Sequence, residues 1–591
     1  MKVRPVFIDT ALPIRSILSG VLLCLIFNSG SARALTVEID APEAMRPLLQ
    51  QHLEAARAAR SGESSSDEEL TRLRNQSLVT ARELLATEGY FSAQIDSTQT
   101  RSEGDWLLRF VVTPGPQTRV RKVRIDIVGA LAEAGEEGAR LRARIERQFA
   151  VQPKMPFRQA DWDAAKLAVL RPLLAGSYSA ARLVASEARI DPETRSADLS
   201  LTLDSGPVFF YGEPAISGNQ RYPLSIIRNL NPTKPGQRYR QQDLLDYQVA
   251  LEESGYFAQA VVRIEPDPAQ AAAAPILVEV VERPLQLFSF GVGVSTDTGA
   301  RVQASWLHRN IRDRGLRLKL DARLEETQQS GAVELAWPRN RSGYEHSIGL
   351  QHKQEDIEGQ ETLATVASIK RSRKRGLFEV TQSLQYQTEQ QSVGNVPELE
   401  NRALTASFAW TQRRLGRDFY PRRGDVLSLQ AGGASEVLLS DTSFLRLHGR
   451  YTRYFSAGDK GRIVLRGELG SVLADSRDGI PTDFLFRAGG DNSIRGYAYQ
   501  SLGRAIGGGV ASVRHLATAS AEYNYFFDRN WGMALFVDAG DAADTPASLS
   551  PVFGYGLGAR YRSPVGPINL DLAYGEATEA WRLHFALGVS F

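Results

Sequence analysis

The carboxyl-terminal half of the chain alternates apolar and polar residues with a period of two. In residues 316–324, leucine and alanine occupy one face of an extended strand, and charged residues occupy the other face. Successive side chains of a strand point to opposite faces, so such a segment separates an apolar medium from water. A soluble β-sandwich also alternates, but charge on the polar face in strand after strand favours a water-filled lumen. From Pro284 onward the chain is therefore predicted to form a transmembrane β-barrel.

Sixteen strands of roughly ten residues each are predicted in this barrel. An even number of strands returns the chain to the side from which it entered. The longest connection, residues 472–516, leaves the eleventh strand and should lie on the opposite side. The predicted strands are residues 285–295, 301–309, 315–325, 331–338, 344–353, 361–371, 376–388, 401–411, 424–433, 442–453, 461–471, 517–526, 531–538, 553–562, 567–574 and 582–591.

The last strand carries apolar residues on one face and small or polar residues on the other. The apolar set is Leu583, Phe585, Leu587, Val589 and Phe591. An aromatic terminus of this kind resembles the signal by which outer-membrane proteins are recognised for assembly, although an ordinary amphipathic strand would read the same way. His584 falls on the opposite face and is predicted to point into the lumen rather than to bind a ligand.

Residues 1–34 have the organisation of a secretory signal peptide. Lys2, Arg4 and Arg15 precede a twelve-residue apolar stretch, and Ala32-Arg33-Ala34 offers a small-x-small cleavage site. The apolar stretch is shorter than the roughly twenty residues that a membrane-spanning helix needs, which disfavours a retained anchor. Export is therefore predicted.

Removal of this segment changes the charge and the cysteine content. The formal net charge is +2, and loss of four basic residues and one acidic residue leaves −1. No basic surface that would favour nucleic acid is predicted. Cys24, the only cysteine, lies in the removed segment, which excludes disulfides and thiol nucleophiles from the mature chain. With seven histidines and no recognisable nucleophile–base motif, we predict no enzyme, no metal and no cofactor.

A motif repeats three times in the amino-terminal half. The sequences are Glu88-Gly89-Tyr90-Phe91, Ala175-Gly176-Ser177-Tyr178 and Ser254-Gly255-Tyr256-Phe257, with the glycines 87 and 79 residues apart. Around each motif the pattern predicts an α+β module of order β-α-α-β-β. We predict modules at residues 35–117, 118–207 and 208–284, followed by the barrel at residues 285–591. The modules could be spacers, or their edge strands could bind an extended client.

The long connection contains Arg495-Gly496-Tyr497 in a glycine-rich segment. It lacks the lysine and the strand–loop–helix context of a phosphate-binding loop. If the loop folds back into the lumen, Arg495 becomes a desolvated cation that needs a carboxylate partner. Glu522 and Asp538 lie on the inward faces of the twelfth and thirteenth strands and are the predicted partners.

These residues resemble the Omp85 superfamily, in which polypeptide-transport-associated (POTRA) modules precede a sixteen-stranded barrel. Its loop-six arginine–glycine–aromatic motif matches Arg495, Gly496 and Tyr497. Its phenylalanine-x-aspartate-x-glycine motif matches Phe536, Asp538 and Gly540, and its strand-twelve glutamate matches Glu522. The resemblance implies a protein of the Gram-negative outer membrane, with periplasmic modules, that inserts or exports other outer-membrane proteins without a cofactor.

The number of modules narrows the resemblance. Three modules fit the translocation and assembly module branch of the superfamily, whose members handle clients such as autotransporters. This branch implies a TamB-like, inner-membrane-anchored partner that contacts the modules. A two-partner-secretion-type transporter is the alternative, although its two modules follow a plug helix for which there is no room here. A diffusion porin would have no use for tandem modules.

The junction between the first and last barrel strands is predicted to be the working part. Gly291, Gly293 and Gly588 offer little side-chain packing there, so the seam should be weak and open sideways to pair with client strands. A disulfide near Val292 and Leu587 is expected to block the protein. The residues assigned to this lateral seam are Gly291, Val292, Gly293, Leu587, Gly588 and Phe591.

Overall fold

The computed structural model describes residues 35–62, 66–102, 105–416, 420–563 and 566–590. The predicted signal peptide and the predicted terminal seam residue Phe591 lie outside this part of the chain. Two compact units meet at Pro207 and Val208, and each is described by itself. Within the described ranges, no α-helix has both the length and the apolar character required to cross a membrane.

The first unit contains two three-stranded sheets, each with helices between its first and second strands. The first sheet is formed by β1 (Leu35–Asp40), β2 (Gln94–Ser102) and β3 (Asp105–Thr113), and the helices are α1 (Arg46–His52), α2 (Glu54–Ser61) and α3 (Asp67–Thr87). Strand β3 lies in the middle, parallel to β1 and antiparallel to β2. Ser66 caps the amino terminus of α3, because its Oγ accepts a hydrogen bond from the N–H of Glu69 at 3.2 Å.

The second sheet repeats this arrangement. It consists of β4 (Arg119–Val128), β5 (Arg182–Asp191) and β6 (Ser196–Asp204), with α4 (Gly135–Gln148) and α5 (Gln159–Ala175) between the first two strands. Strand β6 lies in the middle, parallel to β4. The third sheet, which belongs to the second unit, has the same order. Its elements are β7 (Tyr211–Ser217), α6 (Leu224–Leu230), α7 (Gln241–Glu252), β8 (Phe257–Arg263) and β9 (Ala274–Glu282).

The repeated glycine has a different conformation in the second module. Gly89 and Gly255 follow their helices in the left-handed region, with φ of +89° and +84°, where glycine is strongly favoured. Gly176 has φ of −95° and ψ of −155°, an extended conformation open to other residues. The second module, whose motif differs in sequence from the other two, therefore also differs from them in the conformation of this glycine.

Sixteen antiparallel strands form the closed barrel, as predicted. The first and the sixteenth, β10 and β27, pair with each other. The strands are β10 (Gln286–Ser295), β11 (Gly299–Ile311), β12 (Leu316–Glu325), β13 (Gln328–Ala336), β14 (Glu345–Ile357), β15 (Gln360–Arg375), β16 (Phe378–Val393), β17 (Val396–Leu415), β18 (Gly424–Ala434), β19 (Phe444–Ala457), β20 (Gly461–Leu473), β23 (His515–Phe526), β24 (Trp531–Ala543), β25 (Val552–Ser563), β26 (Gly566–Gly575) and β27 (Ala580–Ser590). The short strands β21 (Arg504–Ile506) and β22 (Gly509–Ala511) pair separately in the connection between β20 and β23.

The β16–β17 hairpin is longer than predicted. The alternation of apolar residues predicted strands ending at 388 and starting at 401, whereas the register continues to Val393 opposite Val396. The extension carries polar residues, and Glu389 on its inner face is buried. Glu389 accepts hydrogen bonds from the N–H and the hydroxyl of Thr482, the latter at 2.7 Å. Tertiary contacts therefore sustain these strands beyond the end of the apolar pattern.

The barrel reverses the usual distribution of side chains. Its outward faces carry apolar residues that are about half exposed, among them Leu469, Leu535, Leu557 and Leu583. Its inward faces carry buried polar residues, among them Asn524, Asp538, Arg560, Asp571 and His584. This pattern places the polar chemistry of the second unit inside the barrel.

The third module contacts the β11–β12 turn within the same unit. The hydroxyl of Tyr256, from the repeated motif, donates a hydrogen bond to the carbonyl oxygen of Gly315 at 2.5 Å. Arg309 Nε donates to the carbonyl oxygen of Gly255 at 2.9 Å, and Asn310 Nδ2 donates to that of Arg221 at 2.7 Å. The motif thus joins the module to the first barrel hairpins.

Candidate functional site

The connection between β20 and β23, residues 474–514, folds back into the barrel and is called the long loop below. Its apolar side chains form one core with residues of the surrounding strands. The loop members are Ile480, Phe484, Leu485, Phe486, Ala488, Ile494, Tyr497 and Val513, and the strand members include Phe444, Val472, Leu516 and Ala542. Burial of one large apolar side chain contributes about 1.5–3 kcal/mol, so this core fixes the loop.

Arg495 is the centre of a buried ion-pair network. Its side chain is 2 % exposed. Nε and Nη2 donate to the two carboxylate oxygens of Asp538 at 2.7 and 3.0 Å, a bidentate contact. Nη1 donates to Glu522 at 2.7 Å and to Asp571 at 3.0 Å. The structure thus brings Arg495 together with both predicted acids.

Sequence reasoning missed two members of this network, Asp571 and Arg560. Asp571 lies on β26 and contacts both Arg495 and Arg560. Arg560, on β25, also lies 3.1 Å from Glu522. Their inward position follows from strand alternation, but their pairing depends on how the loop enters the lumen. Two cations therefore share three carboxylates, and all five side chains are at most 13 % exposed, so an unpaired charge there would be costly.

The remaining motif residues fit closely around the arginine. The guanidinium carbon of Arg495 lies 3.4 Å from the ring centroid of Phe536, which is a cation–π contact. A Cβ at Gly540 would lie 2.4 Å from the carbonyl oxygen of Ala517. Glycine is therefore the residue that lets β24 approach β23 at this point.

Gly496 and Tyr497 fasten the loop to the last strands. Gly496 has φ of +95°, and a Cβ there would lie 2.8 Å from the backbone nitrogen of Gly575. Its N–H donates to His584 Nε2 at 2.9 Å. The hydroxyl of Tyr497 donates to the carbonyl oxygen of Phe553 at 3.0 Å. His584 points inward, as predicted, and contacts the loop.

The seam between β10 and β27 is short. Residues 291–295 pair with residues 586–590, five register pairs in all. The neighbouring β10–β11 and β26–β27 pairs have ten and seven. Within the described part of the chain, residues 286–290 of β10 have a strand partner only on the β11 side. Within the described ranges, this part of the β10 edge therefore has no ladder on the β27 side.

The register corrects the predicted cross-link. Val292 lies opposite Val589, and Leu587 lies opposite Val294, so the predicted pair is displaced by two residues. Gly293 lies opposite Gly588, as expected from a seam with little side-chain packing. Strand alternation predicts which face of the sheet each residue occupies. Only the observed hydrogen-bonded register defines which residue lies opposite it on the neighbouring strand.

The structure combines a sixteen-stranded barrel, a loop that folds into it and small α+β modules that precede it. These features define a class of β-barrel protein that carries modules in front of its barrel. Residues 286–591 match the Omp85 superfamily domain, and residues 211–283 match the POTRA model described as surface antigen variable number repeat. The first match covers more than half of the chain, and the chain belongs to the Omp85 superfamily.

Two curated relatives are similar to this chain. Outer membrane protein assembly factor BamA of Nitratidesulfovibrio vulgaris is 21 % identical over 521 residues, which is 82 % of this chain and 63 % of the relative. Outer envelope protein 80 of the Arabidopsis thaliana chloroplast is 34 % identical over 110 residues, 18 % of this chain and 14 % of the relative. The chain thus spans less than two thirds of each relative.

A solved structure is similar in fold. BamA from Haemophilus ducreyi lacking POTRA domains 1–3 superimposes with a TM-score of 0.65 at 16 % identity, covering 80 % of this chain and all of that one. The likeness concerns the fold, since the sequence identity is low.

Proposed function

We propose that the chain is an outer-membrane assembly and translocation factor of the TamA type, which inserts or exports other outer-membrane proteins through the seam between β10 and β27. The observation that carries this proposal is the five-pair seam beside neighbours of ten and seven pairs. An edge with unpaired N–H and C=O groups is a template for an incoming strand. Strand exchange at such an edge needs no chemical fuel.

Placement in the outer membrane of a Gram-negative bacterium is supported by the outward faces of the barrel. Half-exposed leucines on these faces suit contact with lipid, whereas the buried polar residues suit a lumen. With sixteen strands, both ends of the barrel lie on one side, and we assign that side to the periplasm. We take the three modules to span residues 35–117, 118–207 and 208–284.

The long loop favours an assembly factor over a diffusion porin. Its core of buried side chains, with Ile494 and Ala488 fully enclosed, occupies the lumen. A passive pore conducts through an open lumen, whereas the core of this loop fills part of the lumen. The ion pairs of Arg495 oppose that movement.

The clients and the partner follow from the same proposal. The relative from Nitratidesulfovibrio vulgaris is named an outer membrane protein assembly factor, and we extend that activity to this chain. Clients would be unfolded outer-membrane proteins such as autotransporters. Three modules support the TamA type, and a TamB-like protein anchored in the inner membrane would contact them from across the periplasm.

A reversible lock across the seam tests this function. Cysteines at Val294 and Leu587, which lie opposite each other on β10 and β27, should form a disulfide. The matched control places cysteines at Leu572 and Leu583, which lie opposite each other on β26 and β27. Both disulfides cross-link β27 to a neighbouring strand, but only the first cross-links it to β10 across the seam.

The measurement is the amount of an autotransporter assembled in the outer membrane of cells that depend on each variant. The seam lock should reduce assembly at least tenfold, and a reductant should restore it. The control lock should leave assembly unchanged. Equal assembly with both locks would show that the seam is not the route of the client.

A further inference from the structure

Three titratable side chains meet beside the seam, each from a different segment. Asp297 lies in the β10–β11 connection, Asp491 lies in the long loop, and His584 lies on β27. Their nitrogen and oxygen atoms lie within 4.8 Å of one another. His584 Nδ1 and Asp491 Oδ1 are 2.6 Å apart, and the backbone N–H of Asp491 donates to Asp297 Oδ2 at 3.0 Å. The cluster therefore joins both strands of the seam to the loop.

The hydrogen bonds of His584 favour a proton over a metal ion at its Nδ1. Nε2 accepts a hydrogen bond from the N–H of Gly496 at 2.9 Å, so it carries no proton. A neutral imidazole then has its proton on Nδ1, which donates to Asp491. A cation at Nδ1 would displace that proton and leave both ring nitrogens unprotonated. The present geometry thus disfavours Nδ1 as a metal ligand.

Two carboxyl groups this close repel each other when both are charged, so protonation of one of them stabilises the pair. Burial, followed by the neighbouring charge of Asp491, raises the pKa of Asp297 to about 7, while the N–H of Asp491 and the nearby His584 act in the opposite direction. Tyr499, also of the long loop, is near Asp297, since both flank Gly490. Asp571 on β26 is already engaged by Arg495 and Arg560. No described arginine or lysine forms an ion pair with Asp297.

We infer that Asp297, Asp491 and His584 form a proton-controlled latch, which holds the β10–β11 hairpin and the long loop against β27 and loosens the seam when the carboxyl pair loses its proton. The inference rests on the proposed function, because it concerns the opening of the same seam. It adds a regulator, the local proton concentration.

The direction of the pH effect follows from linkage. When the seam is open, Asp297 is in water and has an ordinary pKa of about 4, so the closed state binds the proton more tightly. The closed state is then favoured most below about pH 4, loses this advantage as the pH rises to about 7, and changes little above that. Between pH 5 and pH 8 the ratio of closed to open seam should fall by up to about 100-fold.

Spin-label distances across the seam of the full-length protein in detergent micelles test the latch. Labels on cysteines at Val292 and Leu583 report β10 and β27, because both side chains point outward and are 58 % and 51 % exposed. The mature chain has no other thiol, because Cys24 lies in the predicted signal peptide. The unaltered cluster should show a short distance at pH 5 and a growing long-distance population towards pH 8.

Two variants and one matched control isolate the carboxyl pair. Asp297→Asn removes the titrating group and should keep the short distance from pH 5 to pH 8. Asp491→Asn removes only the neighbouring charge and should move the pH response to lower pH, because burial still raises the pKa of Asp297. Asp478→Asn makes the same change in the same loop at a side chain that is 74 % exposed. This control should retain the full pH response.

Three outcomes would overturn the latch. They are a distance that does not change with pH, a pH response that persists in Asp297→Asn, and closure by zinc or calcium at pH 8 that EDTA reverses, which would make the cluster a metal site. The distance is measured without a client. A protein whose disulfide lock blocks assembly but whose seam ignores pH would disprove the latch and leave the proposed function intact.

Discussion

Arg495 and Asp538 are joined by three hydrogen bonds. The guanidinium group donates through Nε and Nη2 at 2.7 and 3.0 Å, and the backbone N–H of Arg495 donates to the same carboxylate at 3.1 Å. One aspartate on β24 thus orients both the side chain and the main chain of the long loop. Asp538 is therefore one of the strand residues that hold the loop in the lumen.

Arg495→Glu should release the loop. The substitution places a fourth carboxylate among Glu522, Asp538 and Asp571, and breaking a buried ion pair costs about 3–5 kcal/mol. We expect a lower thermal unfolding midpoint and faster protease cleavage within residues 474–514. The double variant Arg495→Glu with Asp538→Arg should recover part of the loss, because it restores one pair of opposite charge.

The control for this change is Arg504→Glu, in the same loop. Arg504 pairs with Asp544 at 3.2 Å, but its side chain is largely exposed, and exposed pairs contribute about 0–1 kcal/mol. Its unfolding midpoint should stay near that of the unaltered protein. Equal midpoints for the two glutamate variants would mean that the buried network does not hold the loop.

Gly496→Ala should separate the loop from β26. The new Cβ would meet the backbone of Gly575 at 2.8 Å, and neither backbone can yield without moving a strand or the loop. Gly508→Ala is the matched control, because Gly508 has a similar φ of +89° but no heavy atom within 4 Å of the added carbon. Both variants bear the same backbone strain, of order 1–2 kcal/mol.

Thermal unfolding of both glycine variants measures the difference between them. The midpoint of Gly496→Ala should fall further, and the loss should be accompanied by exposure of the long loop to protease. If the two midpoints fall equally, backbone strain alone explains the effect and the close approach to Gly575 is unimportant.

The barrel could be predicted from sequence because its determinant is local. A period of two is legible within each strand, and sixteen strands were counted without knowledge of their partners. The β16–β17 hairpin shows the limit of this approach. Its outer part is mostly polar, and Glu389 there accepts hydrogen bonds from Thr482, which lies 93 residues away in the chain.

The candidate site was predictable to a similar degree. Glu522 and Asp538 could be named because a buried arginine requires carboxylates and both acids lie on inward faces. Asp571 obeys the same alternation on β26, but nothing local distinguishes it from other inward polar residues. Its role depends on the depth to which Arg495 enters the lumen, which is a property of the folded loop.

Asp571→Asn tests the member of the network that the sequence did not indicate. Asp571 bridges Arg495 and Arg560, so loss of its charge leaves two buried guanidinium groups to share Glu522 and Asp538. Asp425→Asn is matched in residue type and burial, but Asp425 pairs with one arginine, Arg453, which is exposed to solvent. We expect the larger loss of stability, about 2–4 kcal/mol, for Asp571→Asn.

Chemical unfolding with guanidinium would report that difference as a shift in midpoint. Arg560 also has an uncharged partner, because its Nε donates a hydrogen bond to Asn524 Oδ1 at 3.1 Å. Equal shifts of the midpoint for Asp571→Asn and Asp425→Asn would mean that contact with two arginines contributes no stability beyond that of a buried carboxylate with one arginine.

Tyr256→Phe should loosen the third module from the barrel. The tyrosine hydroxyl is buried and donates to the carbonyl oxygen of Gly315, and burial raises the pKa of Tyr256 well above its usual range. Phenylalanine keeps the ring but leaves that carbonyl without its donor, which costs about 1–3 kcal/mol. Backbone hydrogen exchange in the β11–β12 turn should therefore speed up by roughly tenfold or more. The control is Tyr90→Phe, at the equivalent position of the first repeat in the other unit, which should leave exchange in this turn unchanged. Equal exchange rates in the two variants would show that the hydroxyl of Tyr256 does not join the third module to the barrel.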